Sequence, residues 1–357
     1  MDTLTHALSG ALFARAITPA KLRPSDPPIW QRMTLCAVAA AFPDSDIVVN
    51  FFSSYYYLLH HRGATHSILL LPLWALFLAG LAALCFRRPE GWRTYAGISA
   101  LGIAAHIVGD LITSYGTIIF APLSNERFAW GTTFIIDLWF TGIILAGLIG
   151  GWIWKVSRAP AVAASVLLIA YVGAQAVWRS QAIEFGEQYA RAQGINAAQV
   201  TVQPGAVLPL NWMVMVEKNG DYRYAFVNLK RADIATDPGP EGGFIARLDA
   251  SFNPLSDAIW NRASLLGAST EDAPLVREAW MSPEMDFFRW FAQYPALLRV
   301  ERDNPDNNLA AECVWFHDLR FTRPGNTFNP FRFGLCREKG REWTRYRANG
   351  DTGRERF

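Results

Sequence analysis

Charge is scarce in the first half of this 357-residue sequence: residues 1–180 carry 12 Lys and Arg and 8 Asp and Glu, against 21 and 23 in residues 181–357. A net charge of +2 excludes the strong basic field of a nucleic-acid binder. With four cysteines in so long a chain, a small disulfide-stapled module is excluded as well. A hydrophobic content of 51% and a mean hydropathy of +0.11 exclude a disordered chain. The sequence has no internal repeat, low-complexity tract or lipidation signal. Asp2 stands where a secretory signal would carry a basic residue, so no cleavable signal peptide is expected.

Residues 63–86 contain no Asp, Glu, Lys or Arg, and Ile68 to Phe86 matches the roughly 20 residues that cross a hydrocarbon layer. Further apolar stretches run from Tyr95 to Phe120, Phe134 to Trp154 and Ala159 to Trp178, with two shorter ones at Leu4 to Ile17 and Met33 to Phe52. The pattern predicts a mainly α protein: a multi-span helical membrane domain over residues 1–180 and a C-terminal α+β soluble domain over 181–357. Loop arginines and lysines set the orientation, because positive residues stay on the cytoplasmic side. Nine of them, from Arg15 to Arg158, fall in alternate loops, against Arg62 and Arg127 in the others. If every segment crosses, the Asn50 to Thr65 stretch and everything after Arg179 are non-cytoplasmic, in a multi-pass protein whose first partner is the bilayer.

In the polar half, Asn219-Gly220 between two alternating runs predicts a hairpin. Pro283 to Val300 reads as helix, and Cys313 to Thr322 and Phe331 to Glu338 as strands. Cys313 and Cys336 are either bonded, on an oxidising face, or two buried thiols.

Five of the six histidines, His6, His60, His61, His66 and His106, lie within the first 106 residues, where polar groups are expensive. His106 and Asp110 share one helical face by their four-residue spacing. Pro43 disfavours helix just before Asp44 and Asp46, letting both carboxylates leave one segment end together. The loop charges put His6, Asp44, Asp46 and His66 at non-cytoplasmic segment ends, with His106 and Asp110 about midway along theirs. Mixed imidazole and carboxylate ligands suit a divalent metal: zinc first, with manganese, magnesium or iron as alternatives, as one or two ions. Such an ion acidifies a bound water into a usable nucleophile, chemistry that suits phosphoester cleavage. Arg62 is placed to neutralise a developing oxyanion or to face a headgroup. His61 is preferred to His60 as an acid or base. Asp137 is a further ligand, a partner to a ligating histidine or a helix-terminus carboxylate.

The motifs DTLTHALSGAL, FPDSD, HRGATHS and HIVGDLITSYGT, in that order, resemble the YdjM-like family of predicted membrane-bound, metal-dependent hydrolases of bacterial inner membranes. The resemblance covers roughly residues 1–145 and implies that His6, Asp44, Asp46, His61, His66, His106 and Asp110 are the motif residues. A looser similarity exists to the helical zinc-dependent phospholipase C fold, from which this sequence departs after Asp110: the sixth histidine is His317, so a third metal site lacks ligands. Together these readings predict metal ligation by His6, Asp44, His66, His106 and Asp110, a base or bridging role for Asp46, and transition-state support by His61 and Arg62. The expected substrate is an ester or phosphoester, small or lipid-linked. The alternatives are a non-catalytic metal-binding or transport protein and a membrane anchor for the C-terminal domain. His317, Asp318 and Arg320 read as ordinary polar residues of a strand.

Overall fold

The computed structural model describes residues 1–236, 238–239, 241–302, 311–324, 329–338, 341–349 and 353–357. It divides into two compact units, Met1–Arg179 and Ser180–Phe357.

The first unit is built from helices α1 (Thr3–Ile17), α2 (Ile29–Ala41), α3 (Ser54–His60), α4 (Leu71–Cys85), α5 (Trp92–Leu111), α6 (Leu138–Ile153) and α7 (Ala159–Ala192), the last of which runs on into the second unit. Local chemistry sets the starts. Asp2 caps α1 by accepting from the Thr5 amide, Ser53 caps α3 through the Tyr56 amide, and Asp137 caps α6 through the Phe140 amide. Pro43 follows α2, and the chain continues as a 3₁₀ stretch, Phe42–Phe51, rather than as regular helix.

Close packing holds α2 between α1 and α5. A Cβ on Gly102 would lie 2.7 Å from the Cys36 carbonyl oxygen and 2.8 Å from the Ala39 Cβ, and Gly10 of α1 meets the same carbonyl from the other side. Leu12, Ile112, Phe140, Ile144, Ala161 and Leu168 fill the space between α1, α6 and α7. Outward-facing Leu73, Leu84, Ile149, Trp152 and Ile169 are each more than half exposed, the pattern of a surface that meets lipid rather than water.

Among the described residues, three helical segments are long and apolar enough to cross a membrane: Ile29–Phe51, Pro89–Leu111 and Ala159–Ala192. Ser54–His66 and Leu71–Cys85 pass the same test only as a pair, bent by 78°, the form of either a broken span or a re-entrant loop. Three expected spans are therefore corrected. The Ile68 to Phe86 stretch is regular helix only over α4, the Tyr95 to Phe120 stretch is helical only as far as Leu111, and the Phe134 to Trp154 stretch is helical only over α6, which is shorter than the three segments above. Beyond Leu111 the chain turns back: the Ile118 amide donates to the Arg62 carbonyl, and Thr117 bridges to Phe128. Apolar composition extended the expectation past the point where tertiary hydrogen bonds take over the backbone.

Among the described residues, the second unit contains two five-stranded sheets. In the first, β1 (Gln199–Pro204), β2 (Asn211–Lys218) and β3 (Asp221–Asn228) form an antiparallel meander, with β4 (Asn253–Pro254) and β5 (Asn261–Ser264) also paired to β3. Asn219 and Gly220 both take positive φ, 55° and 80°, which places the predicted hairpin turn between β2 and β3. The second sheet runs β6 (Pro295–Arg302), β7 (Ala311–Asp318), β8 (Arg332–Glu338), β9 (Thr344–Asn349) and β10 (Gly353–Arg356), all antiparallel. Short helices α8 (Phe244–Ala250), α9 (Ala273–Met281) and α10 (Asp286–Phe291) accompany them. The helix expected over Pro283 to Val300 is regular only over α10 and ends with it at Phe291. From Pro295 the chain pairs with β7, and that cross-strand ladder overrides the local helical pattern. Cys313 and Cys336 face each other across β7 and β8 and are disulfide-bonded, so of the two alternatives the bond is formed.

Candidate metal centre

Three segments deliver polar side chains to one point in the apolar unit. The 3₁₀ stretch after α2 contributes Asp44, the 3₁₀ turn Ala64–His66 contributes His66, and the last two turns of α5 contribute His106 and Asp110. One ligand atom from each of these four residues lies within 4.8 Å of the other three. The Nε2 atoms of His66 and His106 are 2.9 Å apart, and each is within 3.4 Å of Asp110 Oδ2. Asp44 Oδ1 is 3.8 Å from His66 Nε2 and 3.6 Å from His106 Nε2. Two donors on a tetrahedral ion at about 2.0–2.1 Å stand about 3.3 Å apart, so the four atoms are close enough to hold a single cation after small side-chain shifts.

The outer atoms prepare the inner ones. His106 Nδ1 lies 2.6 Å from the Ala40 carbonyl, which only accepts, so the neutral ring carries its hydrogen there and turns a lone pair on Nε2 inward. His66 Nδ1 is anchored 3.0 Å from Thr65 Oγ1, and Thr3 Oγ1 donates to Asp44 Oδ2 at 2.6 Å. A ligating imidazole is oriented in this way by the partner of its second nitrogen. Asp110 Oδ2 is buried and has no well-directed hydrogen bond, although three nitrogens crowd it. A cation satisfies such an oxygen. His66, His106 and Asp110 have fully buried side chains, whereas those of Asp44, His61 and Asp46 are 15%, 14% and 10% exposed, so the centre opens on the side of the last three.

The other expected site residues surround these four. His6 Nε2 is 3.1 Å from Asp110 Oδ1, and its ring stacks on His106 with centroids 3.7 Å apart. The Met1 amine also meets Asp110 Oδ1. Asp46 binds His61 Nδ1 through both oxygens, at 3.0 and 3.1 Å, and accepts the Arg62 amide at 3.0 Å. The Arg62 side chain is buried, with Nε 3.0 Å from Asp110 Oδ2, Nη1 donating to Thr113 Oγ1 at 3.3 Å, and the guanidinium 4.7 Å from the Tyr115 ring centre. His60 is exposed and stacks on Tyr56, outside the cluster. Of the three readings of Asp137, the helix-terminus carboxylate matches its position: it caps α6 and accepts from Tyr171 and Gln175 of α7.

Sequence reasoning did not single out Thr3, Thr113, Tyr115 or Arg127. Thr113 and Tyr115 lie inside the HIVGDLITSYGT motif, where the three-residue step from Asp110 to Thr113 was the available signal. Arg127 donates to the Leu58, His61 and Gly116 carbonyls from a loop with no motif of its own. His317, Asp318 and Arg320 belong to the second unit, where Asp318 and Arg320 form a buried ion pair and Asp318 also accepts the Gln293 amide.

The chain is 26% identical over 174 residues to the uncharacterized protein YfhP of Bacillus subtilis (strain 168), an alignment covering 48% of this chain and 52% of that protein. The chain thus spans about half the length of the curated relative it matches. No solved structure matches it. A family model described as YdjM inner membrane protein matches residues 1–182, a range that contains α1 to α6, most of α7 and every residue of the cluster. This chain therefore belongs to the YdjM family of inner membrane proteins.

Proposed function

We propose that this protein is a membrane-bound, metal-dependent hydrolase of an ester or phosphoester, and that the substrate is amphipathic or lipid-linked. The observation that carries the reading is the convergence of Asp44, His66, His106 and Asp110 beside a histidine–carboxylate pair, His61 and Asp46, on the accessible edge. Asp44, His66, His106 and Asp110 would hold the ion. Asp110 presents Oδ1 toward His6 and Oδ2 toward His66 and His106, so a second ion would share Asp110 and take His6. Zinc fits the donor set best, with manganese or magnesium next. A bound divalent ion supplies acidified water and a Lewis acid.

The chain's own residues supply the rest. Asp46 holds the His61 Nδ1 hydrogen, which leaves Nε2 to accept a proton from an attacking water and return it to the leaving group. Asp46 is thus the partner of the base rather than a bridging ligand. Arg62, with Nε 3.0 Å from Asp110 Oδ2, holds that carboxylate in place and extends positive potential toward a developing oxyanion. Exposed Ile47, Val48, Phe51 and Phe52 follow Asp44 and Asp46 in the sequence, an apolar collar that favours a substrate entering from the bilayer. Residues 1–180 act as the membrane domain and 181–357 as an extracytoplasmic domain. The Cys313–Cys336 bond supports that side, because disulfides persist in oxidising compartments.

The test is elemental analysis of detergent-purified protein, followed by a screen of chromogenic phosphodiesters and phospholipids. The reading expects wild type to retain metal and hydrolyse, His61→Gln to retain metal without hydrolysing, and a folded His106→Ala, Asp110→Ala variant to lose both. Metal retained with no hydrolysis of any ester would favour a non-catalytic metal-binding protein. A metal-free wild type after metal-replete preparation would remove the reading.

A further inference from the structure

Helix α7 contributes no side chain to the cluster, yet a chain of hydrogen bonds runs from it to both helices that bear Asp110 and His6. Gln175 of α7 is 1% exposed; its Nε2 donates to Asp137 Oδ2 at 3.0 Å, and its Oε1 accepts from Thr133 Oγ1 at 2.7 Å. The Thr132 and Thr133 amides then donate to the Ile112 carbonyl at 2.9 and 3.0 Å, and Thr132 Oγ1 donates to it as well, at 3.2 Å. Ile112 ends α5 two residues after Asp110. In the other direction, Thr141 Oγ1 lies 3.0 Å from the Asp137 carbonyl and 3.1 Å from Thr5 Oγ1, and Thr5 precedes His6 on α1.

These contacts lie among apolar side chains, where polar groups without partners are costly and networks with every member satisfied are rigid. Carbonyls at the end of a helix need donors from outside it. At α5 the Thr132–Thr133 strap supplies them to Ile112, and Gln175 fixes the strap. We propose that Gln175 and Thr133 are positioning residues for the metal centre: through the Ile112 carbonyl they set where the last turn of α5 presents Asp110. This inference rests on the metal-binding reading.

The test is metal affinity rather than turnover. Zinc affinity of the detergent-purified full chain is read by competition with a chromophoric chelator, with apo melting temperature measured in parallel. Thr133→Val keeps the shape and removes the donor, and Gln175→Leu removes both arms. Each should weaken zinc binding about tenfold, the size of effect seen when the outer partner of a ligand is removed. Thr133→Ser, which keeps the hydroxyl, should bind like wild type. The Thr133→Val, Gln175→Leu double variant should lose little more than either single one, because both break one chain of contacts. Ser165→Ala, elsewhere on α7, removes a bond to the Ala161 carbonyl and is the control. Affinity in Thr133→Val and Gln175→Leu equal to wild type would overturn the proposal, as would a loss matched by Ser165→Ala. A wild type that binds no zinc would overturn the metal reading itself, an outcome visible before any variant is made.

Discussion

Replacing Arg62 with Met tests the electrostatics of the centre directly. In the metal-free chain the Arg62 guanidinium and the Asp110 carboxylate are buried against each other with Nε to Oδ2 at 3.0 Å. At that distance the attraction is about 5 kcal/mol at an effective dielectric constant near 20. Part of it is offset by desolvation of both ions, but removing one partner strands the other, and breaking a buried pair costs about 3–5 kcal/mol. Arg62→Met should therefore lower the apo melting temperature by on the order of 10 °C, given about 2–4 °C per kcal/mol for a unit of this size. A divalent cation at the cluster would sit about 2 Å from Asp110 Oδ2 and would be repelled by Arg62. Removing that repulsion leaves Asp110 free for the ion, so the variant should bind metal more tightly than wild type. Thermal unfolding in detergent, with chelator and then with zinc, measures both effects. At a hundredfold excess over the dissociation constant the ion adds about 2.7 kcal/mol to wild type, and each tenfold gain in affinity adds about 1.4 kcal/mol more. An apo variant that melts with wild type, or one that zinc stabilises no more than wild type, would refute the reasoning.

Two further predictions concern the second unit. The Cys313–Cys336 bond closes a separation of 23 residues, so Cys313→Ser, Cys336→Ser should cost about 3 kcal/mol of that unit's stability. In protein isolated from membranes, neither cysteine should react with a maleimide until a reductant is added, and labelling without reductant would contradict both the bond and the oxidising location. His317 is held neutral by burial, with its pKa pushed down to about 4 from 6.5. The unfolded chain therefore binds a proton that the folded chain refuses, and stability is lost as pH falls from 6.5 toward 4. Between pH 7.5 and 5 the loss from this group is about 2 kcal/mol, read as a falling urea midpoint by pulse proteolysis. The slope should flatten in His317→Gln; an unchanged slope would assign the pH dependence elsewhere.

The membrane unit was legible in the sequence to the extent that its signals were local. A charge-free run marks apolar helix whatever its neighbours do, and four-residue spacing puts His106 and Asp110 on one face without reference to the rest of the fold. Asp44, His66 and His6 were nameable because a carboxylate or imidazole in apolar surroundings needs a partner. Which partner was not legible. That His61 takes Asp46 while Arg62 turns to Asp110 depends on one backbone reversal between adjacent residues. The strap from Thr132 to Gln175 was invisible because threonine and glutamine are common, and only the tertiary path from α5 to α7 brings them together. The end of α5 and strand β6 were misread for a related reason: Ile112 and Pro295 stop or redirect the chain through bonds to residues distant in sequence.

Arg62 is one of the few non-glycine residues with a positive φ, 62°. That left-handed turn lets one residue serve two carboxylates, its amide donating to Asp46 and its guanidinium meeting Asp110. The two services are chemically separable. A backbone donor survives every replacement that retains an N–H, so side-chain variants at this position silence the Asp110 arm and leave the Asp46 arm intact. Proline would remove the amide and also demand a negative φ. Asparagine tolerates the left-handed conformation best among residues with a side chain, and glycine adopts it freely. A substitution series at this one position therefore dissects the ligand carboxylate from the carboxylate of the proton-transfer pair, with no alteration to either aspartate.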